Sequence, residues 1–440
     1  MDLGANSIRV AAVDLESMTP TVEVLHRYCH SPVIASDGSL RWDWPRIFAE
    51  VEIGLGRGTD SGPVDSIGVD GWGVDYALLD KHGHLVGLPH SYRDTRTRQW
   101  RALAEEIGIE RLYNTTGVQL MGINTIFQLA THDRTERDRA TRLLLLPDLL
   151  VRDLGGVEGA ERSNVSTTGL MDSRTGDWST ELVDDLSLDR SLFPRVGIAG
   201  QRAGSWRNVP IHVVGSHDTS SAFLGMPGAS LEGTVFVSAG SWVIVGMERS
   251  TVDTSPEARQ LNFSNEVGAL GGFRFLKNVV GFLILERCRS GWGNPPIEVL
   301  IDEAASVRDV VPKFDAGDHR FLNPLDMEDE IRRATGMAEG TPRKVIVRSV
   351  LESIVDGIAR VIDELSQITG ARLTQISMVG GGSRVPLMHE LLSRRTGMQV
   401  VKGSTEATVL GNALAQGVAL GLFNDVHAAR KWIDQTGELV

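Results

Sequence analysis

Apolar positions recur along the chain with two periods, and the clearest stretch lies in the C-terminal third. Val347, Val350, Leu351, Ile354, Ile358, Val361, Ile362 and Leu365 fall on an i, i+3, i+4 pattern, the repeat that gathers side chains on one face of an α-helix. Pro342 stands near the first turn and Gly370 just past the last apolar residue, which bounds the helix on both sides. The pattern then alternates in type. A short strand over Gln375–Val379 runs into Gly380-Gly381-Gly382, followed by a helix over about 385–395, a strand over Gln399–Lys402 and a helix over about 407–420. Alternating strands and helices make an α/β domain.

The N-terminal half is less regular. Residues 2–13 read as a hairpin turned at Gly4, and 66–70, 74–79 and 84–88 as short extended runs, with Lys81-His82-Gly83 turning between the last two. Residues 125–132 and 181–186 read as helices. Residues 211–215 are extended and end at Ser216-His217-Asp218-Thr219. Met226-Pro227-Gly228-Ala229-Ser230 reads as a linker, and the extended run 234–242 after it echoes the start of the chain. A chain of 440 residues exceeds one ordinary core, so two domains are expected, 1–228 and 229–440.

Composition narrows the function. With 41% hydrophobic and 23% charged residues, the chain is an ordinary soluble globular one. A formal net charge of −13 argues against nucleic acid or an anionic membrane as the main partner. It leaves room for ATP, because backbone N–H groups, hydroxyls and Mg²⁺ suffice to hold phosphate. Cys29 and Cys288 are the only cysteines; they exclude a disulfide framework and fit a reducing cytoplasm. The longest apolar runs, near 143–146 and 279–285, fall far short of the ~20 residues that span a bilayer. Together with a start lacking a signal peptide, this predicts a cytoplasmic protein.

Four constellations carry candidate chemistry. Asp2-Leu3-Gly4-Ala5-Asn6-Ser7-Ile8-Arg9 places a carboxylate, a turn glycine, small polar side chains and an arginine between extended segments. Such a turn presents N–H groups and hydroxyls to a polyphosphate, with the carboxylate toward its Mg²⁺; an ordinary hairpin turn explains it equally. Asp218, after an extended run and between His217 and Thr219, is where a kinase would keep the carboxylate that accepts a hydroxyl proton, or simply a helix cap. Gly380–Gly382 would let a ligand lie flat on the backbone, and Ser238-Ala239-Gly240-Ser241 reads as a second phosphate turn or a plain one. Familiar alternatives are absent. No Gly-Lys dipeptide makes a P-loop, His389-Glu390 lacks the second zincin histidine, and Thr59 occupies the third glycine's place after Gly54-Leu55-Gly56.

Taken in order, these stretches resemble the FGGY family of carbohydrate kinases. So do Gly68-Val69-Asp70-Gly71-Trp72-Gly73-Val74-Asp75-Tyr76, Gly87-Leu88-Pro89-His90-Ser91-Tyr92-Arg93-Asp94, Gly122-Ile123-Asn124-Thr125, Leu146-Pro147-Asp148, Leu276-Lys277-Asn278 and Glu406-Ala407-Thr408-Val409-Leu410-Gly411-Asn412. Within the family, the branch that phosphorylates L-rhamnulose is the most similar. The resemblance implies two ribonuclease H-like domains of the actin/hexokinase ATPase type, with the sugar in an interdomain cleft. It implies MgATP as cofactor, a small sugar as partner and a monomer or homodimer. It makes Asp218 the catalytic base, and Gly73, His217, Thr219, Trp72 and Asp75 sugar contacts. Ala5, Asn6, Ser7, Ile8, Arg9 and Ser241 would hold phosphates, Asn278, Glu286 and Gly382 the nucleotide, and Asp2 would face Mg²⁺.

The chain departs from the family pattern at four places. Gly71 stands where that branch usually carries Thr beside the sugar, Glu286 where a Gln often meets the nucleotide, and Ser241 where Thr is usual. The chain also opens at the first motif's Asp, without the apolar residues that precede it in the family, as a late-assigned start or a trimmed sequence would. This predicts a shortened strand with Asp2 near a fraying end. The expected reaction is phosphorylation of L-rhamnulose at its 1-hydroxyl. A kinase for L-fuculose or xylulose is the alternative within the class. Outside it stand a nucleotide-binding sensor on the same fold and an inactive kinase.

Overall fold

The computed structural model describes residues 1–17, 19–228, 231–321 and 324–436; Ala229 and Ser230 of the expected linker lie outside them. The chain forms two compact units. The first comprises Met1–Pro227, Glu248–Phe275 and the segment from Glu406 onward, and the second Gly228–Met247 and Leu276–Thr405.

The first unit is built on the anticipated opening hairpin. Asp2–Leu3 pairs antiparallel with Ser7–Asp14, which pairs with Thr21–Cys29, and on its other side runs parallel to Asp70–Gly71, with Asp2 opposite Asp70. Ile8 and Val10 alternate inward with Leu3 onto Trp42, Trp44, Ile47 and Val51, the period-2 burial of a sheet face. The helix Trp44–Ser61 covers this face; Asp43 caps it by accepting from the Arg46 N–H, and Pro45 sits in its first turn. The start does not fray as expected. Ladder bonds on both sides hold Asp2, which is 2% exposed, and the Met1 amine donates to the Gly68 carbonyl at 2.8 Å.

Around a second core, Tyr76–Leu79 pairs with Arg142–Leu145 beside Leu112, Ile126, Phe127 and Leu182. The expected helices appear as Thr125–Ala130 and Thr180–Asp185. The extended runs at 66–70 and 84–88 are mostly irregular instead: Ile67 makes a single bridge to Ile211, and Leu85 one to Leu79. Residues 211–215 likewise contribute only to the strand Val209–His212, which turns back on Arg202–Trp206. Each of these runs has a partner for one or two residues only, so hydrophobicity without a neighbour leaves it as loop.

A third packing contact joins the helices Asp218–Leu224 and Ala407–Ala419. A Cβ on Gly411 would lie 1.7 Å from the Ser221 carbonyl, and one on Gly225 2.2 Å from that of Ala407. The backbones touch because both positions lack side chains.

In the second unit, Thr234–Ala239 pairs antiparallel with Trp242–Arg249 and parallel with Gln375–Val379, which in turn runs parallel to Gln399–Lys402. The long helix is Arg343–Thr369, and every residue of the predicted apolar face is buried. Gly370 ends it at φ 67°, a left-handed conformation natural to glycine. Pro386–Thr396 confirms the next helix, and Ala407–Ala419, part of the first unit, the last. No helix among the described residues is long and apolar enough to cross a membrane.

Candidate active site

Sheet pairing in the first unit brings three aspartates of distant sequence position together. Asp2 lies opposite Asp70, the next residue, Gly71, bridges to His217 and donates to the Ser216 carbonyl at 2.9 Å, and Asp218 follows. Glu161 holds this loop from beneath by accepting from the Ser216 N–H at 2.8 Å, while Ser163 Oγ accepts from the His217 N–H at 3.2 Å. Asp218 is the first residue of the helix Asp218–Leu224 and keeps 28% of its side-chain surface accessible. Thr219 Oγ1 donates to its Oδ1 at 3.1 Å, and His217 Nε2 stands 3.5 Å from the same oxygen. Surrounding protein pushes its pKa up; His217 counters this and the Asp2 charge adds to it. The carboxylate is thus reachable and is oriented by the hydroxyl and backbone of Thr219, which suits proton acceptance.

The opening turn, Gly4 to Ser7, is pinned from outside. His30 Nε2 meets the Gly4 carbonyl at 2.9 Å, and Arg93 donates to the Ala5 carbonyl at 3.2 Å and Asn6 Oδ1 at 2.7 Å. Ala5 and Ser7 are half-buried and Asn6 is exposed. Ile8 is core, so it offers backbone only. Arg9 donates to both Asp2 and Glu406, the latter at 2.5 Å. Asp70 is fully buried, with its pKa driven well above the usual range by burial and then by Asp2. Asn412 donates to its Oδ2 at 3.0 Å, and its Oδ1 has no hydrogen-bond partner. Asp2 and Asp70 thus face each other across the sheet, and the Asp2 charge reaches Asp218.

Trp72-Gly73-Val74-Asp75 forms a tight, strained loop. Val74 adopts φ 69°, where a β-branched residue is a clear outlier; Thr125 Oγ1 and Gln128 Nε2 hold it there by donating to its carbonyl at 2.7 and 3.3 Å. Gly73 has no room for a side chain, since a Cβ would lie 2.8 Å from Thr167 Oγ1. Asp75 is completely buried and accepts from Trp42 Nε1 at 2.7 Å, Trp72 Nε1 at 3.0 Å, the Tyr92 N–H at 3.1 Å and Gln128 Nε2 at 3.0 Å. Both oxygens are taken, so Asp75 organises the loop and its indoles rather than presenting a free carboxylate. Gly71 faces inward as well: a Cβ there would strike Leu3 Cβ at 2.7 Å and Pro147 Cγ at 3.2 Å. A threonine at this position would point into the core.

In the second unit, Ser238–Ser241 is the tight turn between Thr234–Ala239 and Trp242–Arg249. Ser241 Oγ donates to Glu286 Oε2 at 3.1 Å, tying this turn to the helix Leu283–Gly291. Asn278 lies half-buried on the strand Phe273–Val280. The triple glycine divides its tasks. Gly380 takes φ 82°, and Gly382 packs where a Cβ would meet Ala239 Cβ at 2.6 Å and Phe282 Cε2 at 2.7 Å, whereas Gly381 faces open space. The flat surface belongs to Gly381.

Two other features compete as sites and lose. A cavity of about 840 Å³ lined by Arg111, Arg134, Arg137 and Asp185 among others holds none of these residues, and Arg111–Asp185 and Arg134–Asp138 already pair there. His90, His132 and Glu136 lie within metal-binding reach of one another. Arg41 occupies the Glu136 carboxylate at 3.0 and 3.2 Å, however, and supplies the positive charge a metal would bring. Sequence reasoning assigned no role to Asp70, Glu406 or Asn412, although all three stand inside stretches with a family resemblance. The same holds for Arg93, while Trp42 and His30 stand outside those stretches and are linked to the site only in space.

Residues 1–225 match the N-terminal domain of the FGGY family of carbohydrate kinases, and residues 235–420 its C-terminal domain. The rhamnulokinase of Pectobacterium atrosepticum is 34% identical over 98% of this chain and 89% of its own length, and that of Enterococcus faecalis 33% identical over 98% and 91%. Among solved structures, a ligand-bound xylulose kinase from Lactobacillus acidophilus superposes with TM-score 0.81 at 15% identity, covering 98% of this chain and 91% of that one. The Plasmodium falciparum glycerol kinase with ADP gives 0.78 at 16%, covering 98% and 91%. Since both halves match and the relatives align along its length, the chain belongs to the FGGY family of carbohydrate kinases, sugar phosphotransferases with a two-domain actin/hexokinase-like fold.

Proposed function

We propose that this kinase transfers the γ-phosphoryl group of MgATP to the 1-hydroxyl of L-rhamnulose, with Asp218 as the general base. The observation that carries the reading is the Asp218 carboxylate itself, half-buried, steadied by Thr219 and His217 and close enough to Asp2 to feel its charge. The sugar oxygen forms the new bond to phosphorus, the bond from phosphorus to the β–γ bridging oxygen breaks, and ADP leaves. The hydroxyl proton passes to Asp218. Phosphoryl transfer proceeds through a loose transition state, so positioning outweighs base strength, and a modestly raised pKa serves as well as a strongly raised one.

Backbone N–H groups of Ala5 to Ile8, with Ser7 and Arg9, would receive the phosphates; Ser241, Asn278 and the glycine turn ending at Gly382 would receive the nucleotide. Glu286 would act through Ser241, whose hydroxyl it accepts. Asp2, with Asp70 beside it, would hold Mg²⁺, which when bound offsets charge on the phosphate oxygens. Gly73, Trp72, His217 and Thr219 would border the sugar, with Asp75 behind them. The two rhamnulokinase relatives support the choice of ketose.

Steady-state assays of ADP release with L-rhamnulose, L-fuculose and D-xylulose test the substrate. L-Rhamnulose is expected to give the highest kcat/KM, and a higher value for another ketose reassigns it. Asp218→Asn should lower kcat by about 10²–10⁴-fold with unfolding unchanged. Near-full turnover in that variant removes Asp218 from the chemistry.

A further inference from the structure

A fully buried guanidinium stands one side chain away from Asp218. Arg274 has no exposed side-chain surface. Its Nη2 donates to Glu266 Oε2 at 3.2 Å and to the Val267 carbonyl at 3.3 Å, and lies 3.3 Å from His217 Nδ1. His217 Nδ1 is also 3.4 Å from Glu266 Oε2, while Nε2 on the other side of the ring faces Asp218 Oδ1 at 3.5 Å. Nε and Nη1 of Arg274 have no hydrogen-bond partner. Folding alone does not call for this arrangement. A buried ion pair regains little more than its desolvation, and an apolar residue of equal volume would fill the space as well. An expensive charge beside a reactive carboxylate points to function.

The ring's two nitrogens decide what that function is. An arginine offers only N–H donors, and at Nδ1 it is the Arg274 contact, not the 3.4 Å approach of Glu266, that has hydrogen-bond geometry. Nδ1 therefore carries the lone pair, and the proton sits on the opposite nitrogen. The geometry points to Arg274, braced by Glu266, as a positioning residue for phosphoryl transfer: it holds His217 in the Nε2–H tautomer, and that N–H orients the Asp218 carboxylate. This inference rests on Asp218 being the base. Without the guanidinium, Nδ1 would take the proton and turn it to Glu266, leaving an Nε2 lone pair opposed to the carboxylate. Arg274 therefore contributes to turnover without touching sugar or nucleotide.

Nitrogen-15 spectra of the full chain labelled at histidine, with His217 assigned by its loss in His217→Gln, read the tautomer directly. The wild-type protein should show Nε2–H, Arg274→Met should show Nδ1–H, and Arg274→Lys should restore Nε2–H. With the best ketose of the panel, Arg274→Met should lower kcat by about 100-fold with little change in sugar KM, and Arg274→Lys should recover part of it. In an Asp218→Asn background Arg274→Met should cost nothing further, because both act through one carboxylate. An Nδ1–H tautomer in the wild type overturns the inference whether or not any variant folds. So does an Arg274→Met enzyme of wild-type kcat, or one whose loss persists undiminished in the Asp218→Asn background. Full turnover by Asp218→Asn alone would instead defeat the base assignment and leave the tautomer result standing.

Discussion

At the scale of single residues, two aspartates, Asp218 and Asp75, take opposite parts. Asp218 keeps accessible surface and is bonded by Thr219 alone, whereas Asp75 spends both oxygens on four donors and has no exposure. Asp218 stood out because His217-Asp218-Thr219 resembles the family pattern; its local setting alone read as a helix cap. The part played by Asp75 was not legible, because Trp42, Tyr92 and Gln128 lie 33, 17 and 53 positions away, and no local pattern encodes who will donate. The difference is testable at Asp75. Asn keeps one acceptor but places an NH₂ group against N–H donors, whichever way the amide turns. With each buried polar group left unpaired costing about 1–3 kcal/mol, Asp75→Asn should destabilise the fold by about 2–4 kcal/mol in urea unfolding. As the Trp72–Gly73 loop loosens, the sugar KM should rise more than kcat falls. A variant as stable as wild type with a collapsed kcat would make Asp75 a direct participant in chemistry.

Elements were readable in proportion to the length of their periodic pattern. The helix Arg343–Thr369 carries about five turns of unbroken repeat, from Val347 to Leu365, and was bounded from Pro342 and Gly370. The runs at 66–70 and 84–88 are apolar over a few residues yet pair only at Ile67, Asp70 and Leu85, since a strand needs a partner and the partner is not written locally. The crossing of Asp218–Leu224 with Ala407–Ala419 had a signal that went unread: Ala407, Gly411 and Ala415 repeat at four-residue spacing, a small-residue stripe on one helix face. That crossing sets the position of the helix that begins with Asp218. Gly411→Ala, whose Cβ would fall 1.7 Å from a backbone oxygen that cannot rotate away, must push the two helices apart. Overpacking of this kind costs about 1–3 kcal/mol or more, so the thermal midpoint should fall. The kcat should fall with it, measured well below that midpoint, because Asp218 moves with its helix. A variant that unfolds early yet turns over normally when folded would separate the helix crossing from the site.

At the scale of the whole molecule, the interior and the surface hold acids of opposite behaviour. That division was invisible in a net charge of −13. The first unit gathers segments from both ends of the chain, and it buries Asp70, Asp75, Asp148 and Glu161, each with a pKa pushed up chiefly by burial. At the periphery, hydrogen bonds from Ser39 hold Asp37 at about 2, and His132 followed by Arg41 holds Glu136 at about 2. The two groups pull stability in opposite directions. The low-pKa acids bind fewer protons when folded, so their contribution is present above about pH 4 and disappears as acid protonates them. The raised acids bind more protons when folded. Their contribution is complete below about pH 4 and drains away as pH climbs through their folded pKa values, where each must ionise in the interior. Stability should therefore peak in mildly acidic solution and decline toward pH 8. Asp148 isolates the second effect, for its Oδ2 has no partner and its Oδ1 only a 3.3 Å bond from the Glu161 N–H. An asparagine there cannot ionise. In urea unfolding across pH 4.5–8, Asp148→Asn should gain steadily on the wild type as pH rises, whatever its offset at the acid end. A stability gap between the two proteins that stays constant over that range would mean that Asp148 ionises inside the fold as readily as in the unfolded chain.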